Sequence, residues 1–140
     1  MKRKILFGGI VLIGLSLLLT AFTTKTYGQE TKPWKISGKY VAMKNPTKPN
    51  AADLKIGKTL FAKHCKSCHG TNGAGDGSKA AGLKTKFIGD FTKGFGKQSK
   101  DGEIYYKTFI GRDEMPGFEK KISDEEDRWI IINYIKSLKK

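Results

Sequence analysis

The chain has 140 residues, room for one small domain, and its only two cysteines stand three positions apart. That spacing excludes a disulfide scaffold, whose cysteines must be spread along the chain. With 27 Lys and Arg against 13 acids the net charge is +14, which suits nucleic acid, anionic lipid or an acidic protein partner.

The N-terminus narrows that choice. Lys2, Arg3 and Lys4 form a basic start, Ile5 to Leu19 an apolar run, and Thr26-Tyr27-Gly28 places small residues at a cleavage site. The pattern predicts a signal peptide over residues 1–28, cut after Gly28. The competing reading is an uncleaved anchor over residues 5–22, at the lower edge of what spans a bilayer. No cysteine stands at the end of the apolar run, which excludes a lipid anchor there. Either way the remainder is expected in the periplasm, soluble or anchored to the outer face of the inner membrane. An exported protein is a poor candidate for nucleic acid.

Residues 29–50 hold Pro33, Pro46 and Pro49 with five lysines, but also Trp34, Tyr40, Val41 and Met43. They read as a linker or a surface-wrapping extension. The folded domain is expected over residues 51–140. Asp53 is a candidate helix cap, and Leu54, Gly57, Leu60 and Phe61 then recur at helical spacing up to Cys65 and Cys68. Gly70, Gly73, Gly75 and Gly77 mark a loop. A short helix is expected over Ala80 to Leu83, and Thr85 to Lys100 shows no period. Ser99 is the candidate cap of a third helix with Ile104, Tyr105, Thr108 and Phe109 inside and Gly111 as its stop. Ser123 to Glu126 reads as a capping box for a last helix that buries Trp129, Ile132, Tyr134 and Ile135. No convincing strand occurs, so the expected fold class is all-α, with three to five helices. The core is thin and glycine-rich, the kind that needs an added element for stability.

Cys65-Lys66-Ser67-Cys68-His69 supplies that element. On a helical turn both sulphurs face one way and can bond two vinyl groups along one edge of a porphyrin, while His69 reaches the iron. Zinc needs four ligands in tetrahedral array, and His64, Cys65, Cys68 and His69 are too crowded to surround one ion. A redox dithiol would want a βαβ context. Covalent haem c is therefore the expected cofactor, bound through Cys65 and Cys68 with His69 on the iron. His64 cannot reach the far face of the same haem and reads as a partly exposed helix residue. Among the methionines, Met115 precedes Pro116, whose ring fixes its own backbone and extends that of Met115. It is the candidate sixth ligand; Met43 is a distant second, and the competing reading of Met115 is a core filler.

In this order, Gly57, Phe61, Cys65 to Gly70, the loop Gly73 to Gly77, Met115-Pro116-Gly117-Phe118 and the helix from Trp129 resemble the class I c-type cytochromes of bacteria. The resemblance covers residues 51–140. It implies that the first and last helices cross, with Gly57 and Phe61 against Ile131, Tyr134 and Ile135. Many members carry a proline after the haem motif whose carbonyl orients the proximal histidine. Here no proline lies between Cys68 and Pro116, so a carbonyl in Leu83 to Phe91 is expected to take that role.

An iron with two protein ligands changes oxidation state with little movement and offers no substrate site. The expectation is a single-haem electron carrier between respiratory partners, or the detachable haem subunit of a respiratory enzyme, and not itself an enzyme. Lys63, Lys66, Lys79, Lys84, Lys86, Lys93 and Lys97 cluster in sequence around the motif and would steer it to redox proteins with acidic docking surfaces. The alternative is an open or weakly ligated iron that binds a small gas or acts on peroxide, with Arg112 near in sequence. A third is a membrane-tethered partner passing electrons within one complex.

Overall fold

The computed structural model describes residues 33–84, 88–94 and 98–139. The export signal and apolar span expected within residues 1–28 lie outside them. No helix of the described residues is long and apolar enough to cross a membrane. The domain is helical throughout: α1 (Gly38–Val41), α2 (Ala51–His64), α3 (Lys66–His69), α4 (Asp101–Tyr105) and α5 (Glu125–Ser137). Among the described residues there is no strand, only an isolated bridge between Arg112 and Met115.

Helix α2 starts at Asn50, whose side-chain oxygen accepts from the Asp53 N–H at 3.0 Å. Asp53 therefore lies inside the first turn, where its charge still favours the positive end of the helix. Helix α5 starts one residue later than the capping-box reading: Asp124, not Ser123, accepts from the Asp127 N–H at 3.0 Å. Helix α4 likewise begins after Lys100 rather than Ser99, with the Glu103 carboxylate reaching back to the Lys100 N–H. Its continuation Tyr106–Ile110 is π-wound and stops at Gly111, φ +74°. The expected short helix after the glycine loop is a single 3-10 turn, Ala80–Gly82.

The centre is the crossing of α2 and α5, as the resemblance implies. A β-carbon on Gly57 would meet Tyr134 Cβ and the Ile130 carbonyl, so at this point the helices touch through backbone. Gly57 also meets Ile130, while Ile131 and Ile135 share the buried core with Phe61. Phe61, two per cent exposed, packs its ring 5.4 Å from Tyr134. Tyr105, Phe109 and Trp129 pack ring against ring beside the crossing. Each such side chain contributes on the order of 1.5–3 kcal/mol when fully buried.

Residues 33–50 are laid over this core. The Tyr40 ring lies 6.4 Å from Tyr105 and 4.9 Å from Tyr106, and Met43 packs against the core beside Gly102. Asn45 donates to the Trp129 carbonyl and to Asn133 Oδ1, and Asn133 in turn donates to Thr47. Asn133 is buried, and these bonds satisfy an amide that would otherwise be costly inside the domain.

Candidate functional site

The motif turns a corner between two helices. Cys65 ends α2, its N–H donating to the Phe61 carbonyl at 2.8 Å, and then begins α3. The N–H groups of Cys68 and His69 both donate back to the Cys65 carbonyl, at 3.2 and 2.9 Å. The turn thus holds both free thiols and the imidazole within one winding, as the sequence spacing requires.

The glycine loop closes under the turn. Gly75 N–H donates to the His69 carbonyl, Gly77 N–H to Cys68 and Lys79 N–H to Ser67, all within 3.1 Å. These bonds satisfy carbonyls that the short helix leaves open. Gly70 turns the chain at φ +79°, and a β-carbon there would collide with the Asp76 carboxylate.

Burial sets the chemistry. The Cys65 thiol, seven per cent exposed as a residue, is pushed up to about 12 by burial and by the neighbouring Cys68. Cys68 is half-buried. Burial pushes the His69 imidazole down to about 4, which keeps it neutral, the form that binds iron. Its Nδ1 finds no hydrogen-bond partner among the described residues. Among the described residues of the range Leu83 to Phe91, no carbonyl takes the expected role. The Phe91 ring instead lies against the imidazole, centroids 4.8 Å apart and planes 21° from parallel.

Phe91 is held in that position. Its N–H donates to the Gly73 carbonyl at 2.7 Å, and Asp90 caps the 3-10 turn Phe91–Lys93 by accepting from the Thr92 N–H. Sequence reasoning missed this residue; the signal available was the aromatic spacing Phe87, Phe91 and Phe95, interrupted by Gly89, Asp90 and Gly94.

Met115 lies half-buried in a tight turn. Arg112 N–H donates to the Met115 carbonyl at 2.8 Å and Met115 N–H to the Arg112 carbonyl at 2.9 Å. The turn is tied to the 3-10 segment by Lys84 N–H donating to Glu114 Oε1 at 2.9 Å. After it, Phe118 N–H donates to the Thr108 carbonyl, returning the chain to the core. Met43, the other methionine considered, is spent on packing against α4. His64 sits half-buried at the end of α2 with its ring 6.0 Å from Phe118.

Two thiols and a buried neutral imidazole on one turn, carried by a helical domain with a thin core, fit covalent haem and define a c-type haem protein. Residues 54–139 match the cytochrome c family. The chain belongs to that family, as a class I c-type cytochrome, and binds haem c covalently. No curated protein matches it. Among solved structures it is similar to a chain of the Kuenenia stuttgartiensis reducing HAO-like protein complex Kustc0457/Kustc0458, with 29% identity and TM-score 0.58 over 71% of this chain. It spans only 49% of that chain. It is also similar to the KustC0563 c-type cytochrome, with 26% identity and TM-score 0.51, covering 60% of this chain and 98% of that one.

Proposed function

We propose that this electron-carrying cytochrome shuttles single electrons between respiratory partners in the periplasm, with His69 and Met115 as the axial ligands of one haem and Cys65 and Cys68 as its thioether links. Bound haem c supplies a one-electron iron couple. His69 presents a neutral, buried imidazole whose ring is braced by Phe91. Met115 presents a thioether from a turn closed by two backbone hydrogen bonds, and this observation carries the His/Met reading. A sulphur held by a closed turn loses little freedom on binding and shifts little when the iron changes charge. An iron so enclosed has no position for substrate, so the reading is a carrier and not an enzyme.

The test is absorption from the visible into the near infrared on the haem-loaded protein and on Met115→Ala. The wild type is expected to show the weak sulphur-to-iron charge-transfer band when oxidised, and the variant to lose it. A high-spin wild type that takes up carbon monoxide readily would replace this reading with gas binding or peroxide chemistry.

For partners, the reading is redox proteins with acidic docking surfaces. One of the similar structures is a protein complex, in keeping with a protein partner. Of the lysines near the motif in sequence, Lys63, Lys66, Lys79, Lys84 and Lys93 are exposed, Lys86 and Lys97 lie outside the described residues, and Lys63 and Lys66 border a cleft of about 510 Å³ with Ser67, Asp76 and Ser78. Attraction of this kind is screened over about 8–10 Å at moderate ionic strength. The electron-transfer rate with an acidic partner should fall as salt rises, and a rate indifferent to salt would remove the lysines from the account. Cleavage after Gly28, or retention of residues 5–22 as a tether, is read directly by the mass of the exported protein.

A further inference from the structure

The Met115 turn is held by a part of the chain outside the family match. Arg112, its first residue, places its guanidinium 4.2 Å from the Trp34 ring centroid and donates from Nη1 to the Pro33 carbonyl at 3.0 Å. Its Nε lies 3.3 Å from the Asp113 carboxylate. Trp34 in turn meets the Tyr106 ring edge-on at 6.3 Å. A cation over an aromatic face, together with a charge-assisted bond to a carbonyl, fixes a guanidinium in both direction and distance.

The arm that grips Arg112 is itself tied to the core. Tyr40 is set among Tyr105 and Tyr106, and Asn45 is bonded to Trp129 and Asn133 of α5. The turn it grips needs support from outside. Asp113 is the one described non-glycine residue with positive φ, +51°, a region that side chains other than glycine resist. Arg112 and Met115 are joined by both backbone bonds of the turn, so a displacement of one is passed to the other.

We infer that residues 33–50 act as a clamp on the Met115 turn, with Trp34 and Arg112 as positioning residues for the Met115 sulphur. This rests on Met115 being the sixth ligand. Held by the clamp, the turn keeps the sulphur in place and shuts out other ligands. Released, it opens more often, and an added ligand competes more successfully for the same position.

Imidazole added to the oxidised, haem-loaded full chain measures that opening. It binds only when the sulphur has left, so its apparent affinity scales with the open fraction. Trp34→Ala and Arg112→Ala should each bind imidazole about tenfold more tightly than wild type, equivalent to ~1.4 kcal/mol, with a weakened sulphur-to-iron band. Trp34→Phe, which keeps an aromatic face under the guanidinium, should return most of the way. Ile132→Val, a core change that takes no part in the contacts among Pro33, Trp34, Tyr106 and Arg112, should stay within about twofold of wild type, since it loosens the fold while leaving those contacts in place. All variants are compared at a temperature where far-UV circular dichroism shows each folded.

An unchanged affinity in both Trp34→Ala and Arg112→Ala, with the sulphur band intact in wild type, overturns the clamp alone. An increase in Ile132→Val as large as theirs also overturns it, since general loosening would then explain the effect. A wild type with no sulphur band removes Met115 as ligand, and the clamp falls with that reading.

Discussion

Gly57 and Tyr134 touch with no space for a side chain between them: a β-carbon at position 57 would stand 2.7 Å from Tyr134 Cβ and 3.0 Å from the Ile130 carbonyl. The crossing of α2 and α5 that supports the haem motif depends on this contact.

Gly57→Ala sets two effects against each other. Alanine is favoured over glycine inside a helix by about 1 kcal/mol, while overpacking a tight contact costs about 1–3 kcal/mol. The clash involves backbone and should win, leaving a net loss of up to ~2 kcal/mol. Urea unfolding of the haem-loaded protein should show a lower midpoint at unchanged slope. A midpoint equal to wild type would mean that the helices part at little cost.

Phe91→Ala removes the ring braced against His69. Cavity formation should destabilise the protein by about 3 kcal/mol or more. Water reaching Nδ1 would accept its hydrogen, make the imidazole more electron-rich and favour the oxidised iron. The reduction potential should therefore fall. A hydrogen bond worth about 1 kcal/mol corresponds to roughly 40 mV for one electron. Spectroelectrochemical titration reads this shift, and a raised potential would contradict it.

Asp101 links the helices with Lys136 and accepts from the Asn45 N–H at 3.2 Å. Burial raises its carboxyl, but the Lys136 ammonium and the Asn45 N–H outweigh that and leave it below the ordinary value. Its contribution is therefore full above the unfolded carboxylate range, near pH 4, and is lost as pH falls through the lower folded value. Asp101→Asn should cost about 1–2 kcal/mol at pH 7 for a part-buried pair, and little at pH 2, so the two unfolding midpoints converge in acid. Parallel curves at every pH would show that the charge is not what matters.

Cys65→Ser with Cys68→Ser prevents covalent attachment. With so much glycine and a small core, the haem-free chain should lack stable helix. Far-UV circular dichroism should show most of the α signal lost relative to the haem-loaded protein. A chain that stays helical and unfolds cooperatively would mean that the core is sufficient alone.

The motif was legible because covalent attachment demands neighbours in sequence: Cys65, Cys68 and His69 need only one turn of chain. The crossing of α2 and α5 was legible in kind, since Gly57, Phe61, Trp129 and Ile135 repeat at helical spacing. Caps were displaced by one to three residues, because Asn50 and Asp53, or Ser123 and Asp124, are chemically able to do the same work and only backbone geometry chooses. The π-winding of Tyr106–Ile110 leaves the same residues inward over so short a run as an α-turn would. Contacts such as Asn45 with Asn133, or Arg112 with Pro33, join residues 88 and 79 positions apart. No local pattern announces them. Phe91 was missed for a related reason: it reaches His69 from a stretch whose shape is set by single glycines and an Asp90 cap, not by a period.

The bond from Arg112 to the Pro33 carbonyl also fixes where the polypeptide leaves the folded body. Pro33 therefore stands beside the Met115 turn, and a bulky group attached at that residue crowds the turn. An affinity handle or surface attachment meant to leave that turn free belongs at the other terminus, after Lys140.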